Sequence, residues 1–482
     1  MSHRPPLGRL ILPALRWRAE TGFAHEAAAI DDALDFGAGG FILFGGTRES
    51  VRALTADLMR RAGRPLLIAS DLERGAGQQV EDLTSLPPPL ALAALNDVAA
   101  VHAAAQLTAR EALSVGINWV LAPVADLDAE PANPIVQTRA FGSDPRMVGR
   151  MVRAWIQGCQ SAGALACAKH YPGHGRTRED SHDALAVVDT PAIVLEDEDE
   201  LPFRAAVHAG VASVMTAHVR YPALDPAPVA ATFSRPILDR LRRLGFRDLV
   251  VTDALIMEGA RAAGGSGAAA VAAIAAGCDL LLYPGEPRAV WQALETALAA
   301  GQLEERRVME ALARYDRAIS RIASLPLGVA SADPALDAAV ADDLASRVLR
   351  ASRGRGDPHA WRPRLPLEVV VIDDDLGGPY PPGPDDVLAT RLAEQGLAVG
   401  QGGDRVVAVF AEPRAWKGRA ELGDASRRAL AGHVPGASLV VLFAHPRLVA
   451  EIPGEVPVLV AWHRQPLMQD AVARWIATRV SL

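Results

Sequence analysis

Leu249-Val250-Val251-Thr252-Asp253 decides the fold: four residues without any alternation of apolar and polar side chains, stopped by a carboxylate. A run of this kind is buried on both faces, as strands are in a parallel sheet covered by helices. Working outward, the same unit recurs through the first two-thirds of the chain. A short run rich in Val, Ile and Leu ends in Gly, Pro or a polar residue, and an Ala-rich stretch of helical period follows. The runs fall at Arg9 to Pro13, Gly40 to Phe44, Pro65 to Ser70, Asn118 to Pro123, Leu165 to His170, Ser213 to Ala217, Leu249 to Thr252 and Asp279 to Tyr283. Eight βα units close a (β/α)8 TIM-type barrel, predicted over residues 1–326. The intervening helices carry end signals. Glu49 to Ala62 has Ser50 near its start and Gly63 at its end, and Ser234 caps Arg235 to Leu244 before Gly245 stops it.

Residues 327–366 read as a linker, helical over Asp333 to Leu349, then charged and Pro-containing from Arg353 to Pro366. A second βα series over 367–482 has apolar runs at Leu367 to Ile372, Arg405 to Phe410, Ser438 to Phe443 and Val456 to Ala461, and predicts a smaller open α/β sandwich. Its loops show no evident carboxylate and histidine cluster, so a structural or substrate-covering role is expected.

A net charge of −8 without any Lys/Arg block excludes a nucleic-acid partner, whose phosphates require a basic face. The apolar run within Met1 to Trp17 is broken by Pro13 and Arg16 and reads as neither a signal peptide nor a membrane span. Cys159, Cys167 and Cys278 lack metal-ligand spacing, and an odd number of thiols suits a reducing compartment. A cytoplasmic protein is expected.

Barrel active sites lie at the C-terminal ends of the strands, so the polar residues just after each apolar run carry the functional signal. They are Asp71 and Glu73 after strand three, Asp126 and then Arg139 after strand four, Lys169 and His170 at strand five, His218 at strand six and Asp253 at strand seven. Singly, each is a solvated loop charge; together, from five strands, they predict a site. Asp253 follows the most thoroughly buried run, and Lys169 and Arg139 on nearby strand ends would keep it a carboxylate nucleophile. A helix N-cap or a rim salt bridge is the plainer reading of the same residue. The stretch Lys169 to His182, K-H-Y-P-G-H-G-R-T-R-E-D-S-H, makes a hydrophilic loop suited to a lid. Asp180 and His182 are two residues apart, so in an extended chain the carboxylate orients the imidazole and raises its basicity. Spacing alone fits an acid/base unit and a loop ion pair equally.

These motifs resemble glycoside hydrolase family 3, in particular its β-N-acetylglucosaminidase branch. The resemblance rests on K-H-Y-P-G-H-G and D-S-H within Lys169 to His182, T-A-H at Thr216 to His218, V-V-T-D-A-L-I-M at Val250 to Met257, and A-P-V-A-D and R-A-F-G-S-D around strand four. It implies Asp253 as nucleophile, His182 as general acid/base assisted by Asp180, and sugar contacts from Asp71, Arg139, Lys169 and His170, with His218 in the same site. The implied activity is an exo-acting, retaining hydrolysis of terminal β-N-acetylglucosaminides in carbohydrate metabolism, without metal or organic cofactor, suited to recycling cell-wall fragments. A histidine acid/base departs from the paired carboxyl groups, about 5–5.5 Å apart, of most retaining glycosidases. The uncharged imidazole would also admit phosphate as acceptor, so a phosphorylase, like a family-3 β-glucosidase, is an alternative. This chain departs from the branch at D-L-E-R-G-A-G-Q-Q-V (Asp71 to Val80), where the downstream arginine is absent. From other classes, a metal-dependent barrel hydrolase would use His170, His174, His182 and His218 as ligands, and a non-catalytic sugar-binding scaffold would keep only the fold.

Overall fold

The computed structural model describes residues 5–178, 185–257, 265–323, 333–352, 356–378 and 382–480. The chain forms two compact units, one of Met1–Thr84, Val98–Glu130 and Ala140–Pro334, the other of Ser85–Asp97, Pro131–Arg139 and Ala335–Leu482.

In the first unit the strands are β1 (Ile11–Leu12), β2 (Ala14–Arg16), β3 (Gly40–Phe44), β4 (Leu67–Ser70), β5 (Trp119–Val120), β6 (Leu165–Tyr171), β7 (Ala186–Val187), β8 (Ser213–Thr216), β9 (Val219–Arg220), β10 (Leu249–Thr252) and β11 (Leu281–Leu282). A parallel sheet runs β10-β8-β6-β5-β4-β3-β2, and β1 pairs with β11. Ring closure comes from the bridge between Val251 and Leu280 on one side and the Tyr283 N–H to the Leu12 carbonyl, 2.9 Å, on the other. This is a (β/α)8 TIM-type barrel. The short β7–β9 pair lies outside the ring.

Two strands are shorter than their apolar runs because of particular residues. Pro13 offers no N–H and splits the first strand, although its carbonyl still accepts from the Ile42 N–H at 2.9 Å. Before β5, the Asn118 side chain replaces a ladder step, accepting from the Ile68 N–H and donating to the Leu66 carbonyl, both at 2.9 Å. The helix after β3, Arg48–Ala62, is capped by Thr47, which exchanges hydrogen bonds with Ser50, and ends at Gly63 with φ of 63°. Ser234 caps Arg235–Arg243 as expected, accepting from the Ile237 N–H.

At the N-terminal end of β11, fully buried Asp279 meets Arg242 at 2.7 Å, Arg307 at 2.6 Å and Arg314 at 2.9 Å, and accepts from the Val250 N–H at 2.9 Å. This ties two helices to the barrel floor, the face that serves stability.

The second unit holds β12 (Arg350–Ala351), β13 (Glu368–Asp373), β14 (Arg405–Ala411), β15 (Leu439–Ala444) and β16 (Val458–Val460), in the order β12-β16-β15-β14-β13 with only β12 antiparallel. Alternate residues of β14 and β15 feed separate cores. Val406, Ala408, Phe410, Val441 and Phe443 pack in one, with the helices Val387–Glu394 and Pro466–Ala477, and Val407, Val409, Val440 and Leu442 in the other. It is a small open α/β sandwich.

Its loops do contain the kind of cluster that appeared absent from the sequence. Glu412 takes the Nε2 of His463 at 2.8 Å, Arg464 spans Asp373 and Asp375, and buried Lys417 pairs with Asp374 and Asp375. These residues come from the ends of different strands, so no local spacing reveals them.

Candidate active site

The C-terminal ends of β4, β5, β6, β8 and β10 bring one set of groups together. Val124 bridges to Lys169, and the Ala125 N–H donates to the Lys169 carbonyl at 2.7 Å, which sets the next residue, Asp126, against the end of β6. Asp126 is fully buried. Its carboxylate accepts from the backbone N–H groups of His170, 3.1 Å, and His174, 2.7 Å, and lies 2.7 Å from His170 Nδ1. An ionised carboxylate only accepts, so Nδ1 carries the proton and His170 turns Nε2 toward Asp253 Oδ2, 3.9 Å away. Burial alone would raise the Asp126 carboxyl, but the facing His170, the His174 imidazole and the His174 N–H hold it below its ordinary range.

Asp253 follows β10 directly, and its Oδ1 accepts from the Ala254 N–H at 2.7 Å. Here too burial favours the neutral acid, yet His170, His218, the Ala254 N–H and Lys169 outweigh it and keep the group ionised. After burial, the two imidazoles thus weigh most on Asp253, with Lys169 contributing less. Lys169 is instead clamped at 2.7 Å to each of Asp71 and Glu73, which follow β4.

His218 is buried and both its ring nitrogens are engaged, Nδ1 with Thr232 Oγ1 at 2.8 Å and Nε2 with the Ala254 carbonyl at 3.2 Å. A carbonyl only accepts, so Nε2 carries a proton and fixes the peptide that follows Asp253. Burial pushes the His218 pKa down, against the pull of Asp253. His174 packs edge-on against His170 and meets Thr177 Oγ1 at 3.0 Å; burial, then the neighbouring His170, takes its pKa down to about 4.

The side chains grade from hidden to accessible: Lys169 is 2% exposed and His170 8%, whereas Asp253 is 20% and Asp71 28% exposed. Such an arrangement offers an ionised carboxylate to a ligand entering over a buried layer of fixed donors at the C-terminal face. Asp71, Lys169, His170, His218 and Asp253 thus converge. Arg139 ends a short helical turn, Gln137–Arg139, in the second unit, and Asp180 and His182 lie outside the described residues. Glu73 and Asp126, flagged in the sequence as polar strand-end positions, act here as partners of Lys169 and His170; His174 packs beside them, and Thr232, which no sequence pattern marks, holds His218 Nδ1. Among the described residues, no three His, Cys, Asp or Glu side chains are placed to hold a metal ion.

A closed parallel barrel with an ionised carboxylate at the C-terminal end of its seventh strand, amid an ammonium and imidazoles, is the framework of a glycoside hydrolase. Residues 23–318 match the glycosyl hydrolase family 3 N terminal domain. The chain belongs to glycosyl hydrolase family 3. It is 34% identical over 360 residues to a protein from Cellulomonas fimi named beta-N-acetylglucosaminidase/beta-glucosidase, a match covering 70% of this chain but 64% of that protein's length. A beta-hexosaminidase from Chromobacterium violaceum is 39% identical over 282 residues, 56% of this chain and 77% of the relative. Among solved structures, a family 3 beta-N-acetylglucosaminidase from Paenibacillus sp. str. FPU-7 superposes with a TM-score of 0.85 at 26% identity, covering 100% of this chain and 98% of that one. No described helix is long and apolar enough to cross a membrane.

Proposed function

We propose that this glycoside hydrolase removes terminal β-N-acetylglucosamine residues with net retention of configuration. Asp253 attacks the anomeric carbon as the bond to the leaving oxygen breaks, and His182, oriented by Asp180, supplies that oxygen with a proton. Water, deprotonated by His182, then attacks the same carbon, breaks the glycosyl ester and frees Asp253. Asp71, Lys169 and His170 grip the sugar hydroxyls, and His218 acts by holding the Ala254 peptide. The observation that carries this reading is the Asp253 carboxylate, kept ionised beside His170 Nε2 at the mouth of the barrel. The names of the Cellulomonas and Chromobacterium relatives support the N-acetyl sugar, as does the D-S-H motif. The Cellulomonas name also favours a second substrate, a β-glucoside.

Chemistry is assigned to the barrel and a structural role to the second domain. Cytoplasmic recycling of cell-wall fragments fits three free, buried cysteines whose thiols burial pushes up to about 12, leaving them protonated and inert.

The test is hydrolysis of paired chromogenic β-N-acetylglucosaminides and β-glucosides by wild type, Asp253→Asn and His182→Ala, with chelator present. The reading expects preference for the N-acetyl sugar and a loss of about a thousandfold or more in Asp253→Asn. Wild-type activity in Asp253→Asn would overturn it.

A further inference from the structure

We infer that the ion pair between Arg176 and Asp199 positions the acid/base step of this glycosidase, by fixing the chain just ahead of the D-S-H motif at 180–182. The inference rests on the glycosidase reading above and adds to it two residues that act through another.

The chain that leaves β6 is held tightly as far as this pair. The Tyr221 hydroxyl donates to the Gly173 carbonyl at 2.8 Å, and the Glu130 N–H donates to the Gly175 carbonyl at 3.1 Å. A Cβ at Gly175 would lie 1.7 Å from the Leu127 carbonyl oxygen, and one at Gly173, whose φ is 138°, would lie 3.0 Å from the Asp199 Cβ. Only glycine admits so close a fit. Arg176 follows directly, its Nε donating to Asp199 Oδ2 at 2.7 Å and its Nη2 meeting Glu198. Glu198 and Asp199 end a π-helical turn, Leu195–Asp199, set between Ala192–Val194 and the helix Leu201–His208. Turns of this kind are rare and frequent at functional sites.

Two observations set this pair apart from a surface ion pair. Asp199 is 1% exposed, and among the described residues Arg176 is the one cation paired with it, while its Oδ1 finds no hydrogen-bond donor. Burial pushes the carboxyl up to about 6 and Arg176 pulls it back, so docking of the guanidinium and ionisation of Asp199 support each other. The neighbouring acids do not need Arg176 in this way, because Arg240 takes both Glu196 and Glu200. The second observation is reach. Asp180 lies four residues beyond Arg176 and His182 six, which an extended chain spreads over about 14 and 20 Å. Proton transfer tolerates an error of only about 1 Å. Arg178, the next basic residue, pairs with Glu130 at 2.8 Å but is 77% exposed, where solvent and salt weaken the hold. The buried pair is therefore the last firm attachment before the acid/base residues.

The test compares phenyl with 2,4-dinitrophenyl β-N-acetylglucosaminide. Phenolate needs a proton as it leaves and dinitrophenolate does not, so kcat/KM on the first reads proton donation and on the second reads attack by Asp253 alone. Arg176→Gln combined with Asp199→Asn leaves no buried charge unpaired. This double variant is expected to lose about tenfold to a hundredfold on the phenyl glycoside and to stay within about twofold of wild type on the dinitrophenyl glycoside. An equal loss on both substrates, or none on either, overturns the inference. Arg176→Lys keeps the buried carboxylate answered and should show a smaller loss of the same selectivity. Should the double variant fail to fold, this single variant carries the test, and a wild-type ratio of the two kcat/KM values overturns the inference. His182→Ala on the same substrates separates the inference from the reading beneath it. Selective loss of the phenyl glycoside in the double variant but not in His182→Ala keeps the positioning role and removes His182 as the acid. The same two aglycones on glucose serve if glucosides are preferred, an outcome that removes the N-acetyl assignment alone.

Discussion

Asp126, wholly buried, holds the Nδ1 of His170 at 2.7 Å from a position 44 residues earlier in the chain. The contact selects the tautomer and aims Nε2 at Asp253. Asp126→Asn can donate as well as accept, so the ring loses its fixed orientation, and kcat is expected to fall about a hundredfold, as for a small misplacement of a reacting group. The carboxyl titrates below its ordinary value of 3.8 in the folded protein. Its stabilisation is therefore complete above that value and lost as pH falls through the lower folded pKa, so the Asn variant should show a flatter acid-unfolding curve below about pH 4.

Lys169 answers two carboxylates at once, and Glu73 is 5% exposed. Lys169→Met strands a buried charge, and a loss of about 3 kcal/mol in urea unfolding is expected, together with a raised KM. Adding Glu73→Gln removes the stranded charge. The double variant should regain most of the stability and none of the activity, which separates the binding role from the structural one.

His174 makes stability fall in mild acid. Burial lowers its pKa from 6.5 to about 4, so it stays neutral in the fold while the unfolded chain takes up a proton. Stability is thus full above pH 6.5 and declines between pH 6.5 and about 4, by about 3 kcal/mol if His174 alone is counted. Buried His218 acts in the same direction. Urea midpoints at pH 7.5 and 5 should converge in His174→Gln relative to wild type; equal pH dependence in both proteins would show that His174 is not the group responsible.

Asp279 offers a control remote from the chemistry. Asp279→Asn leaves three arginines around a neutral amide at the barrel floor, and thermal unfolding should show a loss of about 3–5 kcal/mol. Since the floor face serves stability, kcat of the remaining folded enzyme should stay at its wild-type value.

The barrel was legible because burial on both faces leaves a local trace. The run Leu249 to Thr252 is a strand over those same residues, and Gly40 to Phe44 likewise. Asp253, Lys169, His170, His218 and Asp71 were readable for a related reason: a charge directly after a buried run stands at a strand end, and strand ends share one face. What local pattern cannot carry is partnership. Lys169 with Glu73, Asp126 with His170, Asp279 with Arg242, Arg307 and Arg314, and Arg464 with Asp373 are neighbours only because particular strands and helices lie side by side. Arg16 looked like an interruption of an apolar run until closure of the ring brought Tyr283 beneath it. Residue type and periodicity thus determined the elements and the face that bears the chemistry. The pairing of charges, and with it the tautomer of His170 and the ionisation of Asp253, was decided by tertiary structure, because Coulomb energy and desolvation depend on distance in space and not along the chain.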